Sequence, residues 1–286
     1  MSLARRPRRR RVTARPPDPG EPQPGPADPP VPAPPARRRF RRLLLAWYRA
    51  NGRQLPWRET SDPYHILVSE VMLQQTQVDR VLPKYHEWLA RYPSLAALAA
   101  AADDEVAAAW RPLGYNVRPR RLQWIARESV QRFGGSLPSD EATLLSFKGL
   151  GRYTVGAIRS FAFGQRAAIV DTNVARLLFR VFVRQGDPRA HATRKHLWAL
   201  SETLVPRKEV FDFNQALMDL GATVCTARAP LCGRCPLRRM CVTYPFAAHT
   251  KPGVAGNGAT RAAQPPAARG VKGRARRKPA ARRAPG

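Results

Sequence analysis

The chain has 286 residues, 50 Lys and Arg against 20 Asp and Glu, and a formal charge of +30. No apolar run approaches the ~18 residues a membrane span needs, and no apolar segment follows the arginines of 5–11, so neither a membrane span nor a secretory leader is expected. The charge points to a polyanion. Nucleic acid is favoured over an anionic membrane, because the tails show no basic helix with a broad apolar face. The expected setting is cytoplasmic and DNA-associated.

In chain order, residues 1–42 carry twelve arginines and three acids, and 16–35 hold eleven prolines. That composition cannot bury a core, so 1–39 reads as a disordered basic tail. Helical periodicity then takes over, with no strand alternation, which predicts an all-α fold. Helices are expected over 40–49, 62–75, 79–91, 95–102, 104–110, 118–133, 139–146, 152–163, 173–183, 192–205 and 210–220. Asp62-Pro63 supplies an N-cap followed by a proline at the first helical position. From 246 the chain turns to Ala, Pro, Gly and Arg, carries ten basic residues and no acid, and reads as a second disordered tail.

Two features break the helical rhythm. Phe147-Lys148-Gly149-Leu150-Gly151 joins two helices. Its glycines permit torsions closed to other residues, and amides at the start of the next helix can hold a phosphate beside Arg152. A plain helix turn explains the glycines equally well. The second feature is a pair of carboxylates. Glu70 lies in a helix apolar nearly all round, where burial would keep it protonated near neutral pH. Asp171 precedes a helix in an N-cap position, where the helix terminus favours the anion. A neutral acid beside an anionic one is the division of labour that cleaves glycosidic bonds. Structural roles account for the two residues as well.

The four cysteines, Cys225, Cys232, Cys235 and Cys241, fall within 17 residues and have no other cysteine to pair with. Four thiolates so spaced suit a [4Fe–4S] cluster; zinc and disulfides are the alternatives. A reducing compartment favours metal ligation over bridges.

Taken together, the motifs resemble a known family. Phe147–Ile158 (FKGLGRYTVGAI) resembles the helix-hairpin-helix of DNA glycosylases, and Ala168–Val174 resembles the segment bearing their catalytic aspartate. The cysteine spacing resembles their iron–sulfur branch. Leu55–Arg58 (LPWR), Ser69–Val78 (SEVMLQQTQV) and Phe213–Gly221 (FNQALMDLG) resemble MutY-type adenine DNA glycosylases in particular. The resemblance covers about 43–245.

It implies two lobes, an iron–sulfur lobe of 40–66 plus 177–245 and a helical barrel of 67–176, with the target base flipped between them. Glu70, Asp171 and Tyr153 would be catalytic, with Glu70 as the acid, Asp171 stabilising the sugar cation and Tyr153 beside the sugar. Trp57 and Arg58 would line the base pocket. Gln75 and Tyr115 would wedge into the duplex. Lys148, Gly149, Gly151, Arg152, Asn173 and Arg228 would contact DNA. The partner would be double-stranded DNA with a mispair, bound by a monomer.

Bifunctional relatives place a Schiff-base lysine where Tyr153 stands, so hydrolysis without strand cutting is expected. The sequence departs from the MutY pattern at Thr172, usually glycine, at Asn116, often a second tyrosine, and at Lys148, usually proline. MutY enzymes also continue into a Nudix-like domain that reads 8-oxoguanine, whereas about 45 low-complexity residues follow Cys241 here. Glu70 in its SEVMLQQTQV context favours adenine opposite 8-oxoguanine or guanine as the target, while Thr172 and the short C-terminal segment favour the alternative, thymine or uracil opposite guanine.

Overall fold

The computed structural model describes residues 32–114, 116–183 and 186–246, and these are helical with no strand among them. Eleven α-helices follow in order: α1 (Pro34–Asn51), α2 (Pro63–Met72), α3 (Val78–Arg91), α4 (Leu95–Ala100), α5 (Asp103–Trp110), α6 (Val117–Phe133), α7 (Glu141–Ser146), α8 (Arg152–Phe161), α9 (Thr172–Phe182), α10 (His191–Leu204) and α11 (Val210–Thr223). None of the described helices is long and apolar enough to cross a membrane.

The apolar faces of these helices close two separate cores. The first gathers α2 to α8 with Leu55 and Trp57 ahead of them and Ile169 behind. The second gathers α1, α9, α10 and α11, and Leu237 of the cysteine loop. Leu55, Trp57, Tyr64 and Ile66 thus pack with the barrel helices, and Val174 packs with the cysteine-loop side. The cores therefore divide earlier than the 66/67 and 176/177 boundaries drawn from the sequence.

Local chemistry explains where α2 starts and stops. Asp62 caps it, accepting from the amides of Tyr64 (2.7 Å) and His65 (3.2 Å). The helix ends at Met72, short of the expected Gln75, because the buried Arg118 guanidinium collects the carbonyls of Val71 (3.0 Å), Met72 (2.9 Å) and Gln74 (2.5 Å). Gln75 then takes a left-handed φ of 57°.

At the other end of the sequence, α1 begins at Pro34 rather than Phe40, since proline suits a first helical turn. The expected disordered tail of 1–39 is therefore corrected at 34–39, which are helical; residues 1–31 and 247–286 lie outside the described residues.

Candidate active site

Four elements converge on one group of ionisable side chains. The middle of α2 contributes Glu70, which is buried. Tyr153 comes from the first turn of α8, Asp171 from the N-cap of α9, and Arg58 from the short 3-10 turn Pro56–Arg58. Burial pushes the Glu70 carboxyl up to about 7; Asp171 adds to the rise, while the Tyr153 hydroxyl and Arg58 oppose it. Burial also drives the Tyr153 phenol well above its ordinary value, reinforced by Glu70 and Asp171, so it stays protonated. Its hydroxyl also reaches Met218 Sδ at 3.3 Å.

Asp171 departs from the sequence expectation. Its carboxylate does cap α9, accepting from the Val174 amide at 2.6 Å and from Asn173 Nδ2 at 3.1 Å. Yet its carboxyl is raised, because burial outweighs those hydrogen bonds and the charge of Arg176. The helix terminus favours the anion, and desolvation overrides it. The two acids still differ in kind, since Asp171 has several donors favouring its anion and Glu70 draws one hydrogen bond, from Tyr153.

The segment leading to Asp171 is pinned from three helices, a support that sequence reasoning did not find. Asn214 on α11 donates to the Ala167 carbonyl (2.9 Å) and to Ser160 Oγ (2.8 Å). Ser201 on α10 donates to the Ile169 carbonyl (3.1 Å). Gly156 on α8 lies so near the Ala168 carbonyl that a Cβ there would sit 2.2 Å from the oxygen.

The remaining expected site residues fall into distinct settings. Trp57 is buried in the first core, edge-on to Tyr85 at 5.3 Å. Its ring packs within that core. The Arg58 side chain is only 5% exposed, and both its terminal nitrogens bind Asp219 at 2.8 Å. Asn173 spends its amide on Asp171 and accepts from Arg176 Nη2 at 2.9 Å, so its side chain serves the aspartate. Gln75, Lys148, Gly149, Gly151 and Arg228 are exposed. Of the two hairpin glycines only Gly149 uses a left-handed φ, 101°; Gly151 caps α8 with an ordinary extended backbone. Arg152 stacks on Trp198 at 4.1 Å and pairs with Glu202. Tyr115 lies outside the described residues.

A further buried polar group was missed. Gln215 on α11 is 3% exposed and its Oε1 has no hydrogen-bond partner. It sits one helical turn before Met218 and Asp219, which touch Tyr153 and Arg58. In sequence it stands beside Asn214 in a helix that also carries Asp212 and Asp219, so nothing local sets it apart.

The four cysteines line one small pocket beside α9, with Leu177, Val181 and Val224 forming an apolar wall. Among the described residues no three His, Cys, Asp or Glu side chains come close enough to share one metal ion. Four thiols brought to one pocket are the donor set that a [4Fe–4S] cluster takes.

No disulfide links the four cysteines. The Cys235 thiol is raised to about 11, mainly by burial; the Leu237 backbone amide opposes the rise, and Cys225, Cys241 and Cys232 add to it. The loop is fastened from α9: Arg180 Nη1 donates to Cys225 Sγ (3.5 Å) and to the Thr226 carbonyl (2.7 Å), and the Arg180 carbonyl accepts from the Thr243 amide (3.2 Å).

This geometry agrees with the likenesses to known proteins. Residues 68–203 match the HhH-GPD superfamily base excision DNA repair protein, and residues 225–241 match the iron–sulfur binding domain of endonuclease III. The chain is 46% identical to the adenine DNA glycosylase of Homo sapiens over 71% of this chain and 39% of that protein. It is 38% identical to the thymine/uracil-DNA glycosylase of Pyrobaculum aerophilum over 72% of this chain and 92% of that protein. A solved thermostable thymine-DNA glycosylase superposes with a TM-score of 0.69 at 33% identity, covering 74% of this chain and 97% of that one. The chain spans less than half the length of the human, mouse and rat adenine DNA glycosylases it matches. With its helical lobes and hairpin, and with four cysteines that hold a [4Fe–4S] cluster, the chain belongs to the HhH-GPD superfamily of base excision DNA repair proteins.

Proposed function

We propose that this protein is a monofunctional DNA glycosylase that removes adenine mispaired with 8-oxoguanine or guanine. The observation that carries the reading is the buried carboxyl of Glu70, pushed up to about 7, beside the capped Asp171 and the neutral phenol of Tyr153. Adenine needs a proton on its ring before it becomes a good leaving group. A carboxyl that is half protonated at neutral pH is suited to give it.

In this reading the adenine nucleotide is flipped into the cleft. Glu70 protonates N7 and the C1′–N9 bond breaks, with its electrons leaving on adenine. Asp171, held in place by Val174 and Asn173, stabilises the sugar cation or bonds to C1′. Water then supplies hydroxide to C1′ and its proton goes to a carboxylate, leaving an abasic site. The phenol of Tyr153 cannot form a Schiff base, so the strand is left uncut. The unpartnered Oε1 of Gln215 is suited to accept from the exocyclic amino group of the base.

Double-stranded DNA bound by a monomer follows from the same reading. Gln75 and Tyr115 would enter the duplex, and the hairpin amides around Gly149, with Lys148 and Arg152, would take a phosphate. Arg228, in the loop fixed by Arg180 and the cluster, would take another. The cluster supplies a rigid, cross-linked scaffold for that loop when bound.

The test is Asp171→Asn. Asparagine keeps the helix cap and removes the charge, so duplex affinity should persist while base release falls by at least about a hundredfold. Unchanged release would refute the assignment. A second reading, thymine or uracil opposite guanine, is favoured by the near-complete match to the P. aerophilum enzyme and by Thr172 in place of glycine.

A further inference from the structure

Asp219 is a buried carboxylate that the mechanism above does not use. It lies on α11, fully enclosed, and collects two arginines from the chain just ahead of α2. Arg58 offers Nη1 and Nη2, each at 2.8 Å, a bidentate fork. Arg53 offers its backbone amide at 2.9 Å and Nε at 2.7 Å. The Arg53 carbonyl accepts back from Arg58 Nη1 at 2.9 Å. Burial alone would raise the Asp219 carboxyl; the arginine hydrogen bonds outweigh it and hold it below the usual range.

We propose that Asp219 is a positioning residue for base excision: by clamping the Arg58 fork, it fixes and largely neutralises the one cation that faces Glu70 from the α2 entry segment. This rests on the adenine glycosylase reading. Arg58 favours the anion of Glu70, opposing the protonated form that the chemistry needs. A free guanidinium there would strip the acid of its proton; one spent on a buried carboxylate does so far less. The clamp also crosses between the two cores, since α11 belongs to the second and the 55–58 segment to the first.

The other charged groups around Glu70 are accounted for. Tyr153 faces it from α8 and Asp171 from the start of α9. Arg118 on α6 is committed to the carbonyls of Val71, Met72 and Gln74. Around Arg58 itself stands the Tyr48 ring, 6.0 Å from the guanidinium carbon.

The test is the pH profile of single-turnover adenine release from an A:G duplex, for wild type, Asp219→Asn, Asp219→Glu and Arg58→Gln, with thermal unfolding and duplex affinity measured alongside. Asp219→Asn should move the limb set by Glu70 to lower pH by about one unit. Arg58→Gln should move it to higher pH, and Asp219→Glu should return it toward wild type. A merely structural clamp would lower unfolding temperature and rate at every pH and leave the limb in place. A stationary limb in Asp219→Asn overturns the proposal, and so does an upward shift. Should Asp219→Asn not fold, the direction of the Arg58→Gln shift decides. Absence of any limb near neutral pH in the wild type would instead sink the role given to Glu70, so the two failures are distinguishable.

Discussion

Replacing Glu70 by glutamine should make the protein more stable at alkaline pH, although it removes the residue assigned as the acid. The Glu70 carboxyl rises from 4.5 to about 7 on folding, mainly through burial. Its folded-state pKa is above the unfolded one, so the folded protein binds this proton more tightly. The contribution is complete below 4.5 and is lost as pH climbs through 7. At 1.36 kcal/mol per unit, that loss is about 3 kcal/mol by pH 8. Glutamine stays neutral and nearly isosteric, so Glu70→Gln should escape it. For a folded region of this size, about 3 kcal/mol corresponds to roughly 6–12 °C in Tm. Thermal unfolding of both proteins at pH 5 and pH 8 tests this. The variant should gain on the wild type between the two values. A gap that does not change with pH would refute the claim that a buried, ionisable Glu70 is held at a cost.

Further outcomes follow from the same geometry. Gly156→Ala must move the Ala168 carbonyl by about 1 Å from its 2.2 Å clash, shifting the strand of chain that carries Asp171; base release should fall roughly a hundredfold in single-turnover assays while duplex affinity changes little. Iron analysis should return about four irons per chain and no zinc; chelation should expose 226–243 to limited proteolysis, whereas a zinc count would correct the cofactor. Lys148→Ala should weaken duplex binding alike for all sequences and reduce the slope of log K against log salt by about one; an unchanged slope would remove Lys148 from the phosphate contacts.

Much of this fold was legible in the sequence because its signals are local. Asp62-Pro63 marks the start of α2, Asp171 marks the start of α9, and the left-handed Gly134 ends α6. The four cysteines, all within 17 residues, mark a metal-ligand cluster locally. What was not legible joins residues far apart in the chain. Arg58 and Asp219 stand 161 residues apart, and neither shows in a periodicity. Arg118 shortens α2 from across the first core, where Leu73, Gln74 and Gln75 carry no helix-stop signal of their own. The motifs point to Trp57 and Asn173 without showing their neighbours: the first packs beside Tyr85 and the second donates to Asp171. A motif gives the residues that matter and leaves open which atoms they face.

The account stands most directly on base release itself. Single-turnover assays on matched duplexes bearing A:8-oxoguanine, A:G, T:G and U:G, each with and without alkali, would read target and strand cutting together. Release is expected from A:8-oxoguanine and A:G, with breaks appearing only after alkali. Release from T:G or U:G alone would contradict it and transfer the protein to pyrimidine mismatches, and breaks without alkali would contradict the role assigned to Tyr153.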